Sequence, residues 1–482
     1  MTHGSMPLVV DLDGTLTPAD TLCEAVLRLL KASPGLVFLL ALWLLKGRGH
    51  LKQELARRVK LDVRGLPYRG ELLDYLREQR ALGRQLVLAT AAHAGIANAV
   101  ANHLGLFDQV LASDDGVNLK GRRKLEAIRV HVGAEFSYAG DSRADLPIWQ
   151  SAAAAVLVDV DARVVTALPA SLPRERVFAT TRANSLILWL NALRVHQWLK
   201  NLLIFVPLLT SFGFGDGAKQ LASLWAFLAL SCVASASYLM NDLWDLDSDR
   251  AHRNKRLRAL ASAQISIPAA LIAAMLLLSL GLAMGLVVSS RLTVMLLAYL
   301  VLTSAYSWIL KNRVMLDVLA LSSLYILRIV TGAVAIGVVV SPWLLAFSGF
   351  LFLSLALSKR CSELVSLQSD GESATRGRAY RVADLVVLWP LGVGAALCAV
   401  VVFGLFISAP ETQQRYATPQ LLWLIAMGLS YWLARLWIKT SRDEVHEDPV
   451  IFLLRDAASL WTIAGMVGIA LLAHFIAVGG LT

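Results

Sequence analysis

"LASLWAFLALSCVASASYLMNDLWDLDSDRAHRNKRLR", residues 221–258, passes from twenty apolar or small positions straight into four carboxylates and six basic side chains. An uncharged run of that length is long enough to cross a bilayer as a helix. The charge that follows therefore sits at headgroup depth. Comparable runs recur to the end of the chain, giving nine candidate spans at 201–214, 219–240, 266–289, 292–310, 314–339, 342–358, 383–407, 418–437 and 457–479. The first is marginal unless it begins inside "HQWLKN" (196–201). Residues 201–482 are thus expected to be an all-α polytopic membrane segment of about nine helices.

Composition agrees: of 482 residues, 57% are hydrophobic and 17% charged, which excludes an ordinary soluble chain. Up to about residue 180 the charge is ordinary, and the change near 181 marks a boundary. The expected division is a soluble domain at 6–165, a linker and interfacial helix at 166–200, and the membrane domain at 201–482. Residues 1–5, "MTHGS", read as an expression-vector remnant. The first apolar stretch, "PLVVDLDGTL", is too short and acidic for a cleavable signal peptide. Cys23, Cys232, Cys361 and Cys398 lie far apart without metal-like spacing and are expected to be reduced and buried. Internal repeats and low-complexity tracts are not evident.

The net charge of +10 is explained by topology. If the soluble segment is cytoplasmic, the cytoplasmic loops hold Arg250, Arg253, Lys255, Arg256 and Arg258; Lys311 and Arg313; Lys359, Arg360, Arg376, Arg378 and Arg381; and Lys439, Arg442 and Arg455. The opposite loops hold Lys219, Arg291 and Arg415. That asymmetry sets the orientation by the positive-inside rule and argues against a nucleic-acid partner.

Topology does not explain the acids. Asp242, Asp245 and Asp249 are spaced by three and four, so a continuing helix carries them on one face beside Asn241. Converging carboxylates repel one another unless a cation joins them. Hard oxygen ligands of this kind suit Mg²⁺, whose coordination is usually completed by water and substrate phosphates. "YSWILKNRVMLD" (306–317) then supplies Tyr306, Lys311 and, at a span's start, Asp317. Arg328 lies inside the next span, and "SKRCSE" (358–363) brings Lys359, Arg360 and Glu363. An arginine within a span needs either a structural acid or an anionic site.

These blocks resemble the UbiA superfamily of intramembrane prenyltransferases, with its N-D-x-x-D-x-x-x-D motif and its later Tyr…Lys…Asp motif. Within it the chain is most similar to the decaprenyl-phosphate 5-phosphoribosyltransferase group. "RVHQWLKN" (194–201), "NDLWDLDSDRAHRNKRLRALA" (241–261), "SKRCSEL" (358–364) and "DPVIFLLRD" (448–456) each resemble a block of that group, while Arg253 and Ala259 stand where its pattern has proline. The resemblance covers about residues 190–475. It implies a bacterial plasma-membrane enzyme moving phosphoribosyl from phosphoribosyl diphosphate (PRPP) to a polyprenyl phosphate, both substrates meeting at the bilayer.

In that reading Asp242, Asp245 and Asp249 hold Mg²⁺ and the diphosphate, assisted by Asn241. Lys200, Lys255, Arg256 and Lys311 bind phosphates near Tyr306, and Asp317 anchors a second metal or the ribose hydroxyls. Arg258, Arg328, Lys359 and Arg360 take the lipid phosphate or the 5-phosphate. These extra cations suit a dianionic acceptor better than an aromatic one. Aromatic prenylation from a prenyl diphosphate is the alternative, a lipid-binding scaffold a third, and homo-oligomer formation is open.

In the soluble segment, "PLVVDLDGTLTPADTL" (7–22) is a buried-strand run ending in Asp11 and Asp13, which at i and i+2 project from one side. One such carboxylate can attack phosphorus while the other manages the leaving group's proton. "RQLVLATAA" (84–92) places Thr90 at a second strand end, "LKGRRKLEAI" (119–128) places Lys124 at a helix start, and "FSYAGDSRADLPIW" (136–149) places Asp141 and Asp145 after a third strand. The series predicts a doubly wound α/β sheet with its site at the carboxyl edge.

Residues 6–165 resemble the haloacid dehalogenase-like (HAD) hydrolases in all four motifs. The resemblance implies Asp11 as nucleophile, Asp13 as general acid/base, and Thr90 and Lys124 as phosphoryl ligands, with Lys120 the alternative lysine. Mg²⁺ would be held by Asp11, Asp13, Asp141 and Asp145. Residues 21–85 are the expected helical cap. Within them "LVFLLALWLL" (36–45), flanked by Lys31, Lys46 and Arg48, is either a cap core helix or an interfacial element, being too short to span. A phosphoribosyl transfer leaves a lipid-linked 5-phosphate, which a tethered phosphatase would remove.

Overall fold

The structure, a computed structural model, describes residues 6–114, 118–179, 184–369, 379–445, 449, 452 and 455–476. Residues 1–5, Arg376, Arg378 and most of the 448–456 block lie outside that description. The chain divides into two compact units, one of residues 1–193 with 238–274, the other of 194–237 with 275–482.

The first unit is built on a six-stranded parallel sheet: β1 (Leu8–Val10), β2 (Leu86–His93), β3 (Gln109–Ser113), β4 (Ser137–Gly140), β5 (Ala154–Val158) and β6 (Arg174–Phe178), in the order β3-β2-β1-β4-β5-β6. Val9 lies between Val87 and Tyr138, so β1 is central and the order reverses beside it. Strands buried on both faces need nearly unbroken apolar runs, which "LVV" and "AAVLV" provide. Leu8, Leu72 and Val100 fill one face, and Val9, Phe136 and Trp149 the other. β6 falls within the stretch expected to be linker. Its alternating "RERVF" pairs along β5 as an edge strand, its exposed charges suiting that position.

Between β1 and β2 come four helices, α1 (Thr21–Ala32), α2 (Val37–Leu45), α3 (Arg48–Arg58) and α4 (Gly70–Ala81). Asp20 caps α1 by accepting from the backbone N–H groups of Leu22 and Cys23. Ala25, Leu29, Trp43, Leu51 and Leu55 form a small cap core. Of α2 only Trp43 is buried there, while Phe38 and Leu45 are 78% and 84% exposed. The remaining helices of the sheet domain are α5 (Ala94–Leu104), α6 (Arg122–His131), α7 (Leu146–Trp149) and α8 (Ala162–Thr166).

After α9 (Ser185–Ala192), a 3-10 stretch at Val195–Phe205 and α10 (Val206–Thr210), the membrane helices begin. They are α11 (Gly217–Trp244), α13 (Ile267–Val288), α14 (Ser290–Trp308), α15 (Leu316–Ala335), α16 (Pro342–Ser369), α17 (Leu385–Ser408), α19 (Leu422–Ser441) and α20 (Ala457–Phe475), with short α12 (Leu246–Ala251) and α18 (Pro410–Arg415) between. Among the described residues eight helices, not nine, are long and apolar enough to cross a membrane. The expected span at 201–214 is broken: it is 3-10 wound up to Phe205, has Pro207 at the start of α10, and turns through Phe212 at φ +53°. This is a multi-pass membrane protein.

In the second unit packing relies on small residues, as expected where lipid gives helices no hydrophobic drive to associate. A Cβ on Gly332 of α15 would lie 2.0 Å from the carbonyl oxygen of Ile204, so glycine alone lets the 3-10 stretch lie against that helix.

Candidate active sites

A cavity of about 310 Å³ opens at the carboxyl edge of the sheet, lined by Asp11, Asp13, Lys124, Asp141 and Asp145 together with residues of the cap. Asp11 directly follows β1, and its Oδ1 accepts from the Leu12 N–H at 2.8 Å. The turn after Asp13 requires Gly14: φ is +81°, and a Cβ there would stand 2.3 Å from Asp141 Oδ2. Thr15 Oγ1 donates to Asp141 Oδ1 at 3.1 Å, and Asp145 accepts from Tyr138 Oη at 2.8 Å. Lys124 Nζ stands 2.7 Å from Asp11 Oδ2 and 3.9 Å from Asp145 Oδ1, whereas Lys120 only lines the cavity.

Oxygens of Asp11, Asp141 and Asp145 all lie within 4.8 Å of one another. Burial lifts Asp11 above its ordinary value against the pull of Lys124. Burial also pushes Asp141 up to about 7, with repulsion from Asp145 and Asp11 adding to it. Three crowded hard-oxygen donors whose ionised forms repel are a fitting seat for Mg²⁺. Asp13, expected among the ligands, stands outside this group: its Oδ1 accepts the Thr21 N–H at 2.9 Å, tying it to α1. Burial and then the neighbouring Asp20 push Asp13 up to about 7, which suits a proton donor. Thr90 is fully buried and accepts from the Ala92 N–H at 3.0 Å.

Two cavity residues carried no sequence signal. Lys52 reaches in from α3, donating to the Ala91 carbonyl and, at 3.2 Å, to Asn118 Oδ1. Neither belongs to a motif, since it is the fold of the cap that brings Lys52 there.

The acids of the opening stretch are arranged differently. The helix does not run on unbroken: α11 ends at Trp244 and α12 restarts after Asp245. The i→i−4 backbone bonds of Asp245 to Asn241 and of Asp249 to Asp245 survive, so the break is narrow and Asp242 and Asp249 keep a common side. Both are buried, and Arg258 Nη1 bridges them, 3.2 Å from Asp242 and 2.6 Å from Asp249. The expected three-carboxylate cluster is therefore closed by an arginine, with Asp245 half-buried beside it. Lys255 and Arg256 are exposed.

In the second unit Asp317 does not face open space. It is fully buried, its Oδ2 2.7 Å from Arg360 Nε and its Oδ1 accepting from Tyr380 Oη, whose oxygen in turn accepts the Met315 N–H. Arg360 also pairs with Glu363 and donates to Tyr306 Oη at 3.3 Å. Two acids around one buried guanidinium make an ion-pair group that holds Asp317 and Arg360 to each other. Lys311 and Lys359 are half-buried.

Arg328 is the contrast. Also buried, it donates to Asn201 Oδ1 at 3.0 Å, to the Leu324 carbonyl at 2.6 Å and to Tyr299 Oη at 3.2 Å, with its guanidinium over the rings of Tyr299 and Tyr325. Lys200 Nζ lies 5.9 Å from the Tyr325 ring. Among the described residues no carboxylate pairs with Arg328. The partners that hold it in place are amide, carbonyl and phenol oxygens and two aromatic rings.

Residues 204–452 match the UbiA prenyltransferase family, and residues 8–150 match the haloacid dehalogenase-like hydrolases. The chain is 39% identical over 471 residues to an uncharacterised protein, y4nM, of Sinorhizobium fredii, spanning 96% of this chain and 90% of that one. It is 34% identical over 276 residues to the nodulation protein NoeC of Azorhizobium caulinodans, covering 57% of this chain and 89% of NoeC. Over 237 residues it is 30% identical to a decaprenyl-phosphate phosphoribosyltransferase of Mycobacterium tuberculosis, covering 48% and 78% respectively.

Proposed function

From the premise that the chain belongs to the UbiA prenyltransferase family and carries a HAD-like hydrolase domain, we propose that it transfers 5-phosphoribosyl from PRPP to a polyprenyl phosphate and then removes the 5-phosphate. The observation that carries the choice of acceptor is Arg328. A buried guanidinium with neutral partners inside a membrane unit favours an anion, and a lipid phosphate is an anion delivered by the membrane. An aromatic acceptor offers that charge only a ring face, which Tyr299 and Tyr325 already supply. The similarity to a decaprenyl-phosphate phosphoribosyltransferase supports the same donor and acceptor classes.

In the transfer, a phosphate oxygen of the lipid forms the bond to the anomeric carbon as the bond to the diphosphate breaks, through an oxocarbenium-like transition state. Pyrophosphate leaves with the bonding pair. The residues that would hold Mg²⁺ here are Asp242, Asp245 and Asp249, and the ion would neutralise the departing charge. Arg258, which lies on Asp242 and Asp249, would exchange them for the diphosphate when the ion binds, so the protein's work is positioning and charge balance.

In the phosphatase, Asp11 attacks phosphorus while Lys124 balances the phosphoryl charge. Asp13 gives its proton to the leaving ribose oxygen and then takes one from the water that cleaves the aspartyl phosphate. Asp11, Asp141 and Asp145 would hold Mg²⁺, which supplies further neutralisation. In this reading the domain faces the cytoplasm at a bacterial plasma membrane, an orientation that the positive-inside asymmetry supports.

Purified protein given PRPP, Mg²⁺ and polyprenyl phosphate should release pyrophosphate and yield polyprenyl-phosphoryl ribose by mass spectrometry. Pyrophosphate released only from a prenyl diphosphate and an aromatic ring would overturn this reading.

A further inference from the structure

Helix α1 offers two neighbouring faces with different contacts. Thr21, Leu22 and Ala25 line the phosphatase cavity. Glu24, Arg28 and Lys31, spaced by four and three, form a second stripe. Every member of that stripe reaches the acidic segment of the transferase motif. Glu24 takes both terminal nitrogens of Arg250, at 2.6 and 3.0 Å, while Arg28 and Lys31 approach Asp247 at 2.7 and 3.6 Å. The Glu24–Arg250 pair is buried, with side-chain exposures of 2% and 6%.

Arg250 does more than pair. Its Nε donates to the Ala261 carbonyl at 3.0 Å. One planar guanidinium thus fastens α1, the helix bearing Asp249, and the loop that returns Arg258 onto Asp242 and Asp249. A fork-to-fork pair fixes direction as well as distance. With Glu24 neutralised, Arg250 is a buried charge without its counter-ion and must move towards water, taking its neighbour Asp249 and the 258–261 turn with it.

We propose that α1 of the phosphatase is a positioning element of the transferase. Glu24, by gripping Arg250, sets the carboxylate of Asp249 and the guanidinium of Arg258. The phosphatase fold is then a structural part of the transferase's acidic segment, beyond any advantage of being tethered to it. This rests on the transferase reading above.

The test uses full-length protein in nanodiscs, comparing wild type, Glu24→Gln and the charge exchange Glu24→Arg with Arg250→Glu. Three readouts are taken: hydrogen exchange of residues 246–262, pyrophosphate release from PRPP and polyprenyl phosphate, and p-nitrophenyl phosphate hydrolysis. Glu24→Gln should speed exchange in that segment at least fivefold and cut pyrophosphate release at least tenfold, with phosphatase turnover within twofold. The charge exchange should recover at least threefold of the lost transfer. Unchanged exchange, or a parallel loss of both activities, overturns the proposal. Wild-type protein that releases no pyrophosphate from PRPP overturns the phosphoribosyl reading instead, and the exchange of 246–262 then decides the role of α1 alone.

Discussion

The molecule holds two acidic constellations that solve the same repulsion in different ways. Asp11, Asp141 and Asp145 come from opposite ends of a domain sequence, yet neighbouring parallel strands bring their oxygens within 4.8 Å, with Lys124 at one edge. Asp242 and Asp249 are seven residues apart on nearly continuous helix, and there the chain's own Arg258 lies between them. Strand ends hold their carboxylates in an open cavity that invites a cation. A helix end beside a basic loop supplies a cation of its own. Spacing in sequence tells which acids can meet, and the element opposite tells what joins them.

The comparison breaks most visibly if either constellation proves idle. Asp11→Asn should lower phosphatase turnover by about 10³-fold or more, the scale expected for losing an activated nucleophile. The lipid product should then keep its 5-phosphate by mass spectrometry, with pyrophosphate release within twofold. Asp242→Ala should do the reverse, cutting pyrophosphate release by about 10²-fold or more and leaving p-nitrophenyl phosphate hydrolysis intact. Loss of both activities in either variant would mean the two sites are not separate machines.

A third carboxylate calibrates what arginine neutralisation is worth away from both sites. Burial would raise Glu175, but Arg84 at 2.8 Å and Ser137 outweigh it and hold the carboxyl below its ordinary value. Its folded pKa is depressed, so the stabilisation is present above the unfolded carboxylate pKa and lost as pH falls through the folded value. Glu175→Gln should cost the sheet domain about 3 kcal/mol at neutral pH, because it strands the buried guanidinium of Arg84, and the deficit should shrink in acid melts. A deficit that stays constant with pH would show that the ion pair is not its source.

The smallest expected effect sharpens the comparison best. Arg258→Met removes the built-in cation, which is partly open to solvent, and should cost about 1–2 kcal/mol without added metal. Millimolar Mg²⁺ should then raise the melting temperature more than in wild type. An Mg²⁺ response no larger than that of wild type would show that Arg258 does not occupy a cation's place.

Much of this was legible in the chain. Strand-end motifs announced a doubly wound sheet because parallel strands expose their polar groups at one edge, and Lys124 rather than Lys120 proved to be the lysine that reaches Asp11. Eight of the nine spans were readable from length and apolarity, while the ninth failed where Pro207 and a left-handed Phe212 interrupt it. What escaped notice depended on return contacts. A lone sequence shows charge and not partner, so the carboxylates on which Arg258 and Arg360 lie went unseen. Lys52 gave no signal at all, since a lysine on a cap helix looks like any solvated lysine until the cap folds over the cavity.

Helix α2 has a practical consequence. Val37, Phe38, Leu42, Leu44 and Leu45 are each more than two-fifths exposed on a nine-residue segment. Such a surface recruits any amphiphile present, so the choice of detergent for purification is also a choice of coat for this helix. Preparations made in short-chain and long-chain surfactants should differ in proteolytic sensitivity at residues 37–45 before they differ elsewhere in the cap.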